Sequence, residues 1–172
     1  KDINSTFELN YDTIGFIPQN PFTSLSMMTK IKDQFFCSNE KKEEVLKLVD
    51  LDISLLNKFP SQLSGGQIQR IVIAIALSRN IKLLLLDEPT TALAEENKTN
   101  IINLINDLKT RLSILILFVT HDIESIKDIC NEIIILKNGQ IIEKGFTRDI
   151  LSSPKEDYTK KLINSTFKNK PF

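Results

Sequence analysis

Leu63-Ser64-Gly65-Gly66-Gln67 stands twenty residues ahead of Leu83-Leu84-Leu85-Leu86, an apolar run that closes on Asp87-Glu88. Ser64, Gly65 and Gly66 open a helical pattern that reaches about Arg79. At such a start the first backbone N–H groups lack helical partners and carry the positive end of the helix dipole, and two adjacent glycines let a phosphate approach. The stretch therefore reads as an anion seat or, standing alone, as an ordinary N-cap serine ahead of a permissive turn. A second apolar run, residues 114–119, is followed by Thr120 and by His121, the single histidine of the chain.

Outward from these pieces, Ile14-Gly15-Phe16-Ile17 is a short strand candidate stopped by Pro18, after which Gln19 and Asn20 begin a loop. From about residue 30 to 56 the pattern turns helical, with Val45, Leu46, Leu48, Val49 and Leu51 on one face, and this segment is expected to be a helical insert. Between Ile68 and Leu77 the next helix is apolar on nearly every face apart from Gln69 and Arg70, which predicts burial along most of its length. Residues 83–86 and 114–119 read as fully buried strands, 95–108 as an amphipathic helix and 123–130 as a further helix. Ile133 to Leu136, Asn138-Gly139 and Ile141-Ile142 read as a hairpin through a type I′ turn.

Continuous apolar strands alternating with helices predict an α/β fold, with a mostly parallel sheet covered on both faces. Ligands of such sheets bind outside the carboxyl ends of the strands. Asp87-Glu88 and Thr120-His121 both come after strand candidates, so both are expected at that edge.

The 172 residues fit one domain, and a 41% hydrophobic content is ample for a core. Twenty-two basic residues cancel twenty-two acidic ones, which gives no global drive toward nucleic acid or anionic lipid. Cys37 and Cys130 lie far apart and offer no zinc ligand set with one histidine, so a reducing cytoplasm is the default. The longest apolar stretches fall far short of the ~20 residues that span a bilayer. Lys1-Asp2-Ile3-Asn4 lacks the apolar core of a signal peptide. A soluble chain able to dock on a membrane protein is the expectation.

Asp87, after four leucines, is suited to hold Mg²⁺ directly or through water, since a hard cation takes oxygen ligands. Glu88 can polarise an attacking water as general base; the alternative is an acidic pair that merely ends a strand. Pro89 stops the strand, and Thr90-Thr91 can cap the next segment. His121 reads as a hydrogen-bonding partner of a terminal phosphate or water, or as an incidental loop residue. The amide of Gln19 can reach a metal or a water.

Together these residues resemble the nucleotide-binding subunits of ABC transporters. Leu63-Ser64-Gly65-Gly66-Gln67, followed by Gln69-Arg70, matches the signature motif, and residues 83–87 look like Walker B. Glu88 is similar to the catalytic glutamate, Gln19 to the Q-loop glutamine and His121 to the switch histidine. Pro21-Phe22-Thr23-Ser24-Leu25, Phe59-Pro60-Ser61-Gln62, Asp87-Glu88-Pro89-Thr90-Thr91-Ala92-Leu93, and Pro154 with Tyr158-Thr159-Lys160-Lys161-Leu162 resemble the peptide and nickel importer branch.

The resemblance implies a P-loop NTPase-like sheet with a helical subdomain at about 22–80, a Walker B to H-loop core at 81–145 and a family-specific tail at 146–172. It implies ATP and Mg²⁺ as cofactors, with Asp87 and Gln19 toward the metal, and Gln19, Ser64, Gly65, Gly66 and Gln67 toward nucleotide. Glu88 and His121 are then the catalytic pair. It further implies a second ATPase subunit as head-to-tail partner, two transmembrane permeases, an extracellular solute-binding protein, and a place on the inner face of the cell membrane. Uptake of peptides, nickel or metal chelates would be the task.

Two departures stand out. The five glycines, at 15, 65, 66, 139 and 145, form no G-x-x-x-x-G-K-[ST], and the aromatic residue expected to stack on adenine is missing with it. Eighteen residues precede Gln19, where the family has several dozen, so the expectation is a partial ABC ATPase domain whose isolated chain binds ATP poorly and does not turn it over. Ala94 stands where the family usually has the D-loop aspartate. One alternative is a non-catalytic subunit that lends its signature to a partner. A soluble ABC protein acting on nucleic acid is disfavoured, because neither a tandem second domain nor a long heptad segment is present.

Overall fold

The computed structural model describes residues 11–91 and 93–168, so readings that rest on Lys1-Asp2-Ile3-Asn4, on Ala92 or on residues 169–172 lie outside it. The chain divides after Val119 into two compact units. In the first, β1 (Ile14–Ile17), β2 (Leu83–Asp87) and β3 (Leu115–Val119) lie in the order β1-β2-β3, all parallel. Register pairs Ile17 with Leu86 and Asp87 with Val119, so the carboxyl ends finish level.

Parallel neighbours need crossover connections. Two helices, α1 (Asn39–Leu48) and α2 (Gly65–Leu77), lie between β1 and β2, and α3 (Glu95–Leu112) lies between β2 and β3. Right-handed crossovers taken in one direction put their helices on one face of the sheet. On that face Ile17, Leu84 and Leu86 share a single buried cluster with Ile68, Ile71 and Ile73 of α2 and Ile101, Ile105 and Leu108 of α3. Gly15 marks the closest approach, because a Cβ there would stand 2.9 Å from Ile81 Cδ1 and 3.2 Å from Ala76 Cβ.

The opposite face departs from expectation. Phe16 is 52% exposed and Leu117 48%, and Leu115 and Val119 are also exposed. The topology explains this, since both crossovers within residues 14–119 serve the same side. An unbroken apolar run does not tell which side is served.

The segment expected as one helical insert contains a single α-helix, α1, followed by a short 3₁₀ turn at Ile53–Asn57. Ser38 Oγ caps α1 by accepting the Lys41 N–H at 3.3 Å. Beyond its end Asp50 takes φ 53°, and Asp52 Oδ1 accepts the Ser54 N–H at 2.8 Å, so local side-chain bonds replace a continuing helix. Arg70 Nη1 donates to Val49 O at 2.8 Å and ties α2 to the end of α1.

The second unit holds an antiparallel hairpin, β4 (Glu132–Lys137) and β5 (Gln140–Phe146). Asn138 at φ 51° and Gly139 at φ 77° make the expected turn, whose two central residues both need positive φ. The helix expected over 123–130 is shorter, α4 (Ile123–Ile126), and beyond it the Ile126 carbonyl is shared by the Ile129 and Cys130 N–H groups in a single closing turn. Two further helices complete the unit, α5 (Thr147–Ser152) and α6 (Asp157–Lys168). Glu143, buried on β5, accepts the N–H groups of Lys155 at 2.9 Å and Glu156 at 3.2 Å just ahead of α6. Those backbone donors, Lys155 first, hold its carboxyl below the ordinary 4.5. Among the described residues no helix is long and apolar enough to cross a membrane.

Candidate functional site

The level carboxyl ends of β1 and β2 place three of the expected residues along one edge: Gln19 two residues beyond β1, Asp87 closing β2, and Glu88 next to it. The Glu88 N–H donates to Val119 O at 2.8 Å, which carries the ladder one residue past β2. Its backbone then turns to φ 43°, a left-handed conformation that costs a residue with a Cβ about 1–2 kcal/mol. The side chain is fixed from two directions, with Gln19 Nε2 donating to Glu88 Oε2 at 3.2 Å and Thr91 Oγ1 donating to the same oxygen at 2.9 Å. Pro89 and Thr90 beneath it are buried.

Asp87 is half-buried beside this pair. A carboxylate at a strand end is a hard-oxygen ligand, the kind that suits Mg²⁺, which keeps several waters and takes one or two protein carboxylates. Among the described residues no group of three or more His, Cys, Asp or Glu gathers into a closed metal cage. The carboxylate of Asp87 has the chemistry of one ligand to such a hydrated cation, the rest coming from water or a bound molecule.

Ser64, Gly65, Gly66 and Gln67 form a second group at the start of α2. Ser64 Oγ accepts the Gln67 N–H at 3.3 Å, and Gln67 Oε1 accepts the Ser64 N–H at 3.0 Å, a reciprocal capping box. The signature thus has a local reason to exist, since its serine and glutamine fix where the helix begins. A Cβ on Gly65 would lie 3.9 Å from Leu93 Cδ2, and one on Gly66 3.4 Å from Asn97 Oδ1, so this helix start sits against the chain beyond Glu88. An open cavity of about 290 Å³ adjoins it, with Ser64, Gly66, Gln67, Arg70, Asn97 and Asn100 in its wall.

His121 lies two residues beyond β3, is the second residue of the second unit and is exposed. Ala94 is the N-cap of α3 and supplies no side-chain cap. Sequence reasoning gave Thr91 only a capping role and missed its bond to Glu88; a hydroxyl three residues past the carboxylate was the available signal. It also missed Asn97 against Gly66, which nothing in the sequence marks.

A model of the ABC transporter family matches residues 2–91, just over half of the chain. The chain belongs to the ABC transporter family. Among curated members, the methionine import ATP-binding protein MetN of Streptococcus thermophilus (strain CNRZ 1066) is 38% identical over 163 residues, covering 89% of this chain and 45% of that protein. MetN of Bacillus subtilis (strain 168) is 40% identical over 124 residues, covering 72% and 36%. The chain thus spans less than half the length of these relatives. Solved ABC structures share the α/β fold. The dimeric post-hydrolysis state of the ATP-binding cassette MJ0796 bound to ADP and Pi gives a TM-score of 0.66 at 29% identity, covering 82% of this chain and 69% of that one. The structure of cbiO1 from Clostridium perfringens, part of the transporter complex cbiONQ, gives 0.74 at 25% identity, covering 92% and 64%.

Proposed function

We propose that this chain acts in the ATP-binding subunit of an ABC importer. The observation that carries the reading is the 3.2 Å bond from Gln19 to Glu88 across the level ends of β1 and β2, with Asp87 alongside. In this reading Glu88 orients the attacking water, His121 meets the terminal phosphate, and Asp87 with Gln19 holds Mg²⁺. The metal, when bound, offsets charge on the phosphate oxygens. Ser64, Gly65, Gly66 and Gln67 face the nucleotide of a partner subunit, in keeping with the dimeric form of the MJ0796 cassette. Residues 22–80 serve as the helical subdomain, 81–145 as the Walker B to H-loop core and 146–172 as the tail.

A permease is the proposed membrane partner, which places the chain on the cytoplasmic face of the membrane, with a solute-binding protein acting indirectly. Supporting this, Phe22, Met28, Phe36 and Phe59 are exposed within residues 22–80, apolar side chains that a protein partner can cover. For the solute, the likeness to proteins named as methionine importers supports a small amino acid. The motifs around Pro21 and in the tail at Tyr158 to Leu162 support a peptide or nickel as the second reading. Uptake of labelled methionine, a dipeptide and Ni²⁺, with and without the chain, separates them.

Within the 172 residues no G-x-x-x-x-G-K-[ST] occurs, and we propose that this polypeptide by itself serves chiefly as a signature donor. The assay is Mg²⁺-dependent ATP hydrolysis by the chain alone and mixed with an intact ATPase subunit of the same importer. Hydrolysis that needs the mixture and is lost on Ser64→Arg is expected. Hydrolysis by the chain alone, abolished by Glu88→Gln, would overturn the donor role. Failure of the mixture to depend on Ser64 would overturn the assignment of the signature.

A further inference from the structure

Gln69 is fully buried, and neither its Nε2 nor its Oε1 has a hydrogen-bond partner. Along α2, Ile68, Ile71, Val72 and Ile73 are likewise buried, and all of them are aliphatic. A buried amide without partners is rare in folded proteins, and a native one calls for a specific explanation.

Its place in the fold supplies one. Ala76 is the α2 residue that meets Gly15 of β1. Gln69 lies seven residues earlier, two helical turns along nearly the same stripe and about 10 Å nearer the amino end of α2. As part of the crossover between parallel neighbours, α2 runs antiparallel to β1. The amide is therefore level with the carboxyl end of β1, where the chain becomes the loop carrying Gln19. The 3₁₀ turn of that loop, Pro21–Ser24, packs against α2, and its Pro21 and the adjoining Leu25 are buried.

We propose that Gln69 is a positioning residue for the loop at residues 18–25. Its amide offers one donor group and one acceptor, the complement of a peptide unit, and so provides a second seat for the loop main chain. In the first seat, the one the structure shows, the loop is held by its own bonds, Asn20 Oδ1 accepting the Phe22 N–H at 3.1 Å and Asn20 O accepting the Thr23 N–H at 3.2 Å, and Gln19 reaches Glu88. In the second seat the loop main chain bonds to Gln69, and Gln19 is withdrawn from Glu88. The device needs no nucleotide, so it stands or falls separately from the proposed ATP chemistry.

The test is amide hydrogen exchange on the full chain and on Gln69→Leu and Gln69→Met, which keep the volume and remove the bonding groups. Loss of the second seat confines the loop, so exchange within residues 18–25 is expected to slow at least fivefold, while exchange in α2 and α3 stays within twofold and the thermal midpoint does not fall. A role in packing alone would move exchange in α2 and the loop together. Unchanged loop exchange, parallel changes across α2, or failure of both variants to fold would each overturn the proposal.

Discussion

Two helices of the first unit begin in opposite ways, and the contrast sets a magnitude. α2 starts on Ser64 with a full capping box, whereas α3 starts on Ala94, whose methyl group can accept nothing. Ala94 has the extended backbone of an N-cap, φ −64° and ψ 152°, so a serine there needs no rearrangement. A new cap is worth about 0.5–2 kcal/mol. Here the Asn97 N–H already donates to Ala94 O at 2.9 Å, so a serine hydroxyl shares a donor that is partly satisfied. The low end applies, about 0.5–1 kcal/mol for Ala94→Ser.

For a chain of this size about 1 kcal/mol moves the thermal midpoint by about 2–4 °C, so a rise of about 1–4 °C is expected. The mirror experiment, Ser64→Ala, removes a cap and is expected to lower the midpoint by a similar or larger amount. Ser64→Gly costs only a few tenths of a kcal/mol. Thermal unfolding followed by circular dichroism reads all three. The capping account fails if Ala94→Ser gives no rise, or if Ser64→Gly is as harmful as Ser64→Ala.

The two faces of the first sheet should respond differently to truncation. Leu84→Ala, at a site with no exposure, is expected to cost about 2–5 kcal/mol, whereas Leu117→Ala on the open face costs about 1 kcal/mol; equal losses in urea titrations would contradict the topology. In the second unit, the Glu143 carboxyl is held below 4.5, so its contribution is present above that pH and lost as the pH falls through its folded value. Glu143→Gln should therefore be less stable than the parent at pH 7, with the gap closing on acidification below about 4.5. A gap that widens in acid would reverse the sign of that reasoning.

What the sequence made legible was local. The strands, the Ser64 helix start and the Asn138-Gly139 turn each rest on residues that touch in the chain or lie one turn apart, so pattern and chemistry coincide. The order of apolar runs and the acidic pair likewise located Asp87 and Glu88 at a strand end. Features set by tertiary packing were not legible. The open face at Phe16 and Leu117 depends on the side to which the crossovers turn, and the left-handed Glu88 carries no glycine to announce it. The short α1 was over-read because Asp52, a residue that favours local backbone bonds, sits inside an apolar periodicity. Gln69 looked like a polar gap in a buried helix, and only the fold shows that its amide is fully buried without a hydrogen-bond partner.

The signature glycines allow fold and chemistry to be separated. If Gly65 and Gly66 existed to satisfy the fold, either a positive φ or a close neighbour would demand them. Neither has a φ in the left-handed region. A methyl group on Gly65 meets Leu93 at an ordinary 3.9 Å, and one on Gly66 meets the end of the Asn97 side chain at 3.4 Å, a contact that a rotation of that side chain relieves. Gly→Ala at such positions stabilises a protein by about 0.4–1 kcal/mol, through the unfolded chain. Gly65→Ala is therefore expected to leave the thermal midpoint unchanged or raise it, and Gly66→Ala to stay within about 1 kcal/mol of the parent. Both are expected to weaken the activity that the chain confers on a partner ATPase, because the added methyl groups cover the N–H groups at the helix start. A large fall in the midpoint with partner activity per folded chain intact would assign the glycines to packing and remove the anion seat from the site.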